Sequence, residues 1–306
     1  MIRFDHPVPD GGYAWWYLDA ISDDGSQALT LIAFIGSVFS PYYHRAITRN
    51  RGIAEQFCAI NLALYRPRAS RWAMTERNRV TRSATHLQIG PSSLHWTGAA
   101  LEAEINEITA PIPHRLRGTL RLTPAAIETD SYPLDAQRNH LWSPIAPCAR
   151  IEITFEHPAL RWSGPAYLDH NRGAEPIANA FRTWHWSRLT TPTGTSICYD
   201  ANRRDNSTHS LALHFARSGG VTHFAPPPLA ALGRTLWRLP RQIRADPGTH
   251  PTELKRLEDA PFYARAIIQN RLAGQSGDCI HETLDLNRLR HPIIRAMLPF
   301  RMPRFR

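Results

Sequence analysis

Turn signals cut this chain into short apolar runs, and few folds accept that punctuation. YAWWYLDAI (13–21), ALTLIAFIGSVF (28–39), FCAINLALY (57–65), RWAMTE (71–76), HLQIG (86–90), LHWTG (94–98), LEAEINEI (101–108) and GTLRLTP (118–124) follow one another, separated by SDDGS, YRPRAS, GPSS and TGAA. Runs rich in β-branched and aromatic residues, bounded by Gly, Pro, Asp and Ser, read as strands. The pattern resumes with ARIEITFEH (149–157), TSICYDA (195–201), HSLALHFA, GVTHFAP (220–226), RTLWRLP (234–240) and CIHETLDL (279–286). LEAEINEI alternates apolar and polar, the mark of a half-buried antiparallel strand. Strands do not alternate with long helical patterns, which argues against a parallel α/β sheet. The 25 prolines and 17 glycines are spread along the chain, as many turns require.

At roughly 150 residues per domain, 306 residues suggest two domains. The expected fold class is all-β, with two tandem antiparallel β-barrel or sandwich domains. A seam at AEPIANAFRTW (174–184) divides the chain into 1–178 and 179–306. PFYARAIIQNRLAG (261–274) fits a short helix or a bent strand equally well.

The formal charge is +10 and nearly all of the positive charge is arginine, Lys255 being the single lysine. Such a surface attracts nucleic acid and anionic lipid by the same long-range field. No helix-turn-helix, zinc-finger spacing or RNA-binding aromatic signature is present, which argues against nucleic acid. Cys58, Cys148, Cys198 and Cys279 form no CxxC pair, so neither a metal site nor a disulfide framework is expected, and a reducing cytoplasm fits. MIRFDHPVPDGG lacks the apolar h-region of a signal peptide, and no window approaches the roughly 18 apolar residues of a membrane span. GxSxG, GxxxxGK[ST], HExxH and GxGxxG are all missing, so nothing points to a nucleotide, metal or other cofactor.

What remains is an unusual pairing of aromatic residues with carboxylates. In WSGPAYLDHNRG (162–173), Tyr167 and Asp169 stand two apart and share one face of a strand; in NHLWSP, so do His140 and Trp142. A strand and return between the two segments would bring the pairs together. An acid among Trp and Tyr side chains loses hydration, which favours its protonated form, and a nearby histidine could position a water. Alternatively, Asp169 caps a turn into HNRG and the aromatics are ordinary core. Tyr17 and Asp19 in WWYLD repeat the spacing, either as a trace of duplication or as a core strand whose aspartate opens the turn SDDG. The second reading is the simpler. WHW (184–186) reads as aromatic packing at the start of the second domain.

The blocks GGYAWWYLDAISDDG, LTLIAFIGSVFSPYY, WAMTER, IGPSSLHW, LRWSGPAYLDHNRGAEP, LEDAPFYAR and MLPFRMPR together resemble the carotenoid 1,2-hydratase (hydroxyneurosporene synthase) family of purple photosynthetic bacteria. The resemblance runs through almost the whole chain. It implies tandem lipocalin-like domains and addition of water to the terminal C1=C2 double bond of an acyclic carotene such as neurosporene or lycopene, without redox or metal cofactor. It also implies that the family's H-x-W and Y-x-D motifs fall on His140, Trp142, Tyr167 and Asp169. Asp169 would then be the proton donor, Trp142 and Tyr167 would stabilise the cation, and His140 would orient Asp169 or deprotonate water. An apolar channel for the polyene is implied as well. A membrane-dissolved substrate would give the arginine-rich surface and the C-terminal IIRAMLPFRMPRFR a peripheral, anionic membrane to dock on, although that segment could equally be a closing strand. A non-catalytic carrier of lipophilic ligands is the alternative on the same fold.

Overall fold

A computed structural model describes residues 2–305. Twelve strands belong to the first part of the chain: β1 (Tyr13–Ile21), β2 (Ala28–Ile35), β3 (Cys58–Tyr65), β4 (Arg71–Arg77), β5 (Thr81–Arg82), β6 (His86–Ile89), β7 (Ser92–Trp96), β8 (Leu101–Ile108), β9 (Arg115–Pro124), β10 (Tyr132–Pro133), β11 (His140–His157) and β12 (Ala159–Gly173). Nine follow: β13 (Phe181–Thr190), β14 (Gly194–Arg203), β15 (Thr208–Ala216), β16 (Val221–His223), β17 (Leu229–Leu232), β18 (Arg241–Arg244), β19 (Thr252–Asp259), β20 (Tyr263–Leu272) and β21 (Gln275–Asp285). The helices are short: α1 (Pro41–Ile47), α2 (Ile177–Ala180), α3 (Leu286–Leu289) and α4 (Pro292–Arg301).

Residues 2–177 together with 295–305 form one compact unit and 178–294 another. The break lies at α2, and the last segment of the chain returns to the first unit. In that unit an antiparallel sheet runs β4-β3-β2-β1-β12-β11-β9-β8-β7-β6-β5, with β10 paired to β11. The sheet curls until β4 approaches β8 and β3 approaches β6. Its inner face packs Trp16, Leu18, Leu31, Ile60, Leu62, Ile105, Leu120, Ile151 and Leu168 into one core. The second unit is a seven-stranded antiparallel sheet, β16-β15-β14-β13-β21-β20-β19, with a separate β17-β18 ribbon. Its core includes Leu189, Cys198, Ile243, Ile268 and Cys279. The chain is therefore mostly β, in two antiparallel units, as its punctuation implied.

Several local readings change. In β8, Leu101, Ala103 and Ile105 point inward, but so does Glu107, while Ile108 is 56% exposed. Glu107 accepts from Ser92 Oγ at 2.7 Å and lies 3.6 Å from Arg77; burial pushes its carboxyl up to about 7. ALTLIAFIGSVF stops being strand at Ile35, because Gly36 takes a left-handed φ of 66° and a Cβ there would lie 2.5 Å from the Gly12 carbonyl. RTLWRLP is not a strand. Arg238 turns the chain with φ 57°, Asp259 captures the Leu236 N–H at 2.9 Å, and Leu236 and Trp237 face solvent. PFYARAIIQNRLAG resolves as β20, turning at Ala273 and Gly274 into β21.

The C-terminal IIRAMLPFRMPRFR is helix as far as Arg301, and among the described residues no strand follows it; its last residue, 306, lies outside the described residues. Ile293, Met297 and Phe300, spaced to share one face of α4, are 67, 41 and 74% exposed. After α4, Arg304 makes a single parallel bridge to Glu76 on the edge strand β4. Among the described residues no helix is long and apolar enough to cross a membrane.

Candidate active site

The site grows from the pairing of three strands. β11 and β12 form a long hairpin, and β1 lies on the other side of β12. The register sets Tyr17 opposite Asp169, Asp19 opposite Tyr167, Trp142 opposite Asn171 and His140 opposite Gly173. Directly opposed residues share a face, so Tyr13, Trp15, Tyr17, Asp19, Trp142, Tyr167, Asp169 and Asn171 all lie on the face away from the core cluster. That face is nevertheless buried. Asp169 is 4% exposed, Asp19 2%, and Trp142, Tyr167 and His140 are fully covered. A strand buried on both faces shows no alternation, which is why YAWWYLDAI reads as a continuous apolar run.

Asp169 is held by hydrogen-bond donors. Trp142 Nε1 donates to Oδ2 at 2.9 Å and the Tyr167 hydroxyl to the same oxygen at 2.8 Å, while Asn171 Nδ2 donates to Oδ1 at 3.1 Å. Two physical effects therefore oppose each other. Burial disfavours the carboxylate, and donors favour it. The Tyr167 phenol is pushed well above its usual range, first by burial and then by Asp169, so it stays a donor.

His140 occupies the other end of the row. Its backbone N–H donates to Asp135 Oδ1 at 2.8 Å, its Nδ1 is 2.9 Å from the Tyr13 hydroxyl, and its Nε2 is 3.7 Å from Glu175. Burial lowers the imidazole pKa, while Asp135 and Glu175 pull it back up. Gly173 lies four residues beyond Asp169, about 13 Å along an extended strand. Even fully extended side chains do not close that gap. His140 therefore does not touch Asp169 directly, in contrast to the orienting contact expected of it.

The pair Tyr13–His140 depends on Gly173. A Cβ at that position would sit 2.3 Å from Tyr13 Cε1 and 2.7 Å from His140 Nδ1. Gly173→Ala is expected to displace both rings, lower turnover about tenfold and cost about 1–3 kcal/mol of stability, as overpacking does. Urea unfolding and initial rates, with Gly233→Ala as the control where a Cβ meets nothing within 4 Å, check this.

Tyr17, Asp19, Asn171, Tyr13 and Glu175 join the four residues predicted from sequence. Asp19 does not open the turn SDDG. Its carboxylate accepts from the Tyr17 hydroxyl at 2.9 Å, and the turn is instead held by Ser22 and Asp24. The repeated Tyr-x-Asp spacing was the available signal for it. Asn171 had one too, standing two residues past Asp169 on the same strand face.

The curled sheet and the buried acid held by phenol, indole and amide define a mostly β protein with a polar cluster buried on the sheet face away from its core. The same fold occurs in kievitone hydratase from Nectria haematococca, with a TM-score of 0.55 at 10% identity over 91% of this chain and 90% of that one. The profile described as carotenoid hydratase CrtC matches residues 31–306, and the chain belongs to that family. The acyclic carotenoid 1,2-hydratase of Thiocapsa roseopersicina is 50% identical over 305 residues, which is 99% of this chain and 75% of that protein. The enzyme of the same description from Rubrivivax gelatinosus is 46% identical over 99% of this chain and 76% of its own length.

Proposed function

We propose that this chain is an acyclic carotenoid 1,2-hydratase, a hydro-lyase that adds water across the terminal C1=C2 bond of neurosporene, lycopene and related carotenes in carotenoid biosynthesis. The observation that carries the reading is the buried Asp169, caged by Trp142, Tyr167 and Asn171, in a chain of this family.

The neutral Asp169 carries its proton on Oδ1 and gives it to C2. The π bond breaks, the C2–H bond forms, and a tertiary cation is left at C1. Water oxygen bonds to C1 and loses a proton, giving the tertiary alcohol. Protonating an alkene is the demanding step. Donation from Trp142 and Tyr167 to Oδ2 lowers its cost by stabilising the carboxylate product, and the faces of these rings stabilise the cation by about 0.5–2 kcal/mol per contact. His140, neutral and fixed between Tyr13 and Glu175, positions the strand end that carries Trp142. The step requires only a proton and water, so we assign no cofactor.

The curled sheets are read as lipocalin-like, the protein as cytoplasmic, and its membrane contact as peripheral. The exposed apolar face of α4 between arginines suits an anionic lipid surface and a substrate dissolved in it. Anaerobic incubation with lycopene in ¹⁸O-labelled water, with chelator and no added nucleotide, tests the reading. A hydratase yields 1-hydroxy carotene bearing one ¹⁸O. A carrier of lipophilic ligands returns the carotene unchanged.

A further inference from the structure

Tyr17 and Asp19 on β1 repeat, in the opposite direction, the Tyr167 and Asp169 of β12. Because the strands are antiparallel and in register, each aspartate faces the other strand's tyrosine, and the four side chains form a block with an approximate twofold axis. Each aspartate accepts from the tyrosine two residues before it, at 2.9 Å for Asp19 and 2.8 Å for Asp169. The two phenol rings meet edge to face at 6.1 Å between centroids. The two aspartates are diagonal neighbours across the strand pair, a placement that sets residues about 7–8 Å apart with their Cβ atoms somewhat closer.

Hydration needs two proton transfers, one to carbon and one from water. Asp169, once it has given its proton to C2, is a caged carboxylate, and a second acceptor is required while the C1–O bond forms. The structure offers two further groups. His140 is level with Gly173, far from Asp169 along β12, whereas Asp19 is level with Tyr167, only two residues away. Two carboxyl groups flanking one water, one acting as acid and the other as base, are the arrangement by which inverting glycosidases divide two proton transfers.

We infer that Asp19 is the general base of this site, taking the proton from the water that attacks C1 while Asp169 protonates C2. The inference rests on the hydratase reading of Asp169. In the step, the π electrons form the C2–H bond, the water oxygen's lone pair forms the C1–O bond, Asp169 ends ionised and Asp19 ends protonated. The cycle resets when Asp19 gives up that proton to water and Asp169 takes one back.

Azide separates this role from a structural one, since an anionic nucleophile needs no base. In Asp19→Asn, hydration of lycopene should fall by about 10²–10⁴-fold, the usual worth of a general base. With azide present, the same variant should form the 1-azido carotene by addition of HN₃, at a rate within about tenfold of wild-type hydration. Asp169→Asn should form neither product, because it cannot protonate C2. Hydration by Asp19→Asn within threefold of wild type overturns the proposal. So does a folded Asp19→Asn that forms neither alcohol nor azide adduct. An inactive wild type, or a fully active Asp169→Asn, would instead remove the hydratase reading itself. If Asp19→Asn does not fold, Tyr17→Phe keeps the carboxylate but releases it from its phenol. Hydration should then drop at least fivefold while azide addition is spared, and equal rates with wild type overturn the proposal.

Discussion

Asp169→Asn is expected to lower carotene hydration at least a thousandfold while leaving the protein folded. The amide matches the carboxyl in size, and it can turn its oxygen toward Trp142 Nε1 and the Tyr167 hydroxyl, preserving both of the bonds now made to Oδ2. Its NH₂ then faces Asn171, whose own amide must flip to present oxygen, so the cage is kept with a change of direction at one contact. What disappears is the transferable proton. General acids contribute about 10²–10⁴-fold, and here the acid makes the cation on which the rest depends, which puts the loss toward the upper end. Product formation by mass, together with near-ultraviolet circular dichroism and the thermal midpoint, checks both halves. A variant retaining a tenth of wild-type turnover would show that another group protonates C2.

Much of this arrangement was legible in the residues, and the parts that were not share a cause. Strand existence followed from local punctuation: β1 and β8 coincide with YAWWYLDAI and LEAEINEI residue for residue. RTLWRLP failed because a short run with suitable composition becomes strand only if a ladder partner exists, and the chain turns at Arg238 before one is met. In the site, Tyr167 and Asp169 could be paired because a two-residue spacing sets a shared face without any knowledge of the fold. Asp19 could not be raised above a turn residue, since its meaning depends on which strand lies beside β1. That strand is β12, almost 150 residues later in the chain, and register between distant strands leaves no trace in either segment alone. The same holds for His140. Its spacing from Trp142 was readable, but its level along β12, and hence its distance from Asp169, depends on the hairpin register.

Register between distant segments also governs the strongest stability prediction. β4 is the open edge of the first sheet, and the chain's last residues cover it: Glu76 N–H donates to the Pro303 carbonyl at 2.9 Å and Phe305 N–H to the Glu76 carbonyl at 3.0 Å. Arg304 pairs with the Glu76 carboxylate, donates to the Gln56 carbonyl at 3.0 Å and stacks over Phe57 at 4.3 Å. Glu76 is fully buried, and burial raises its carboxyl above the usual range while Ser40 and Arg304 pull it down. Arg304→Ala leaves that carboxyl without its cation, and breaking such a pair costs about 3–5 kcal/mol. The sign of the pH dependence follows from the raised folded value. A carboxyl easier to protonate in the folded state than in the unfolded state destabilises increasingly as pH climbs past the unfolded value, and removing Arg304 widens that gap. The loss should therefore be largest near pH 8 and shrink as pH falls, vanishing only below the unfolded value, where the acid is neutral in both states. Arg304→Met with Glu76→Gln should recover most of it by removing the buried charge altogether. Urea unfolding of the three proteins at pH 5 and pH 8 decides the matter: a cost under 1 kcal/mol at pH 8, or one equal at both pH values, would mean that the ion pair does not hold the C-terminal segment on β4.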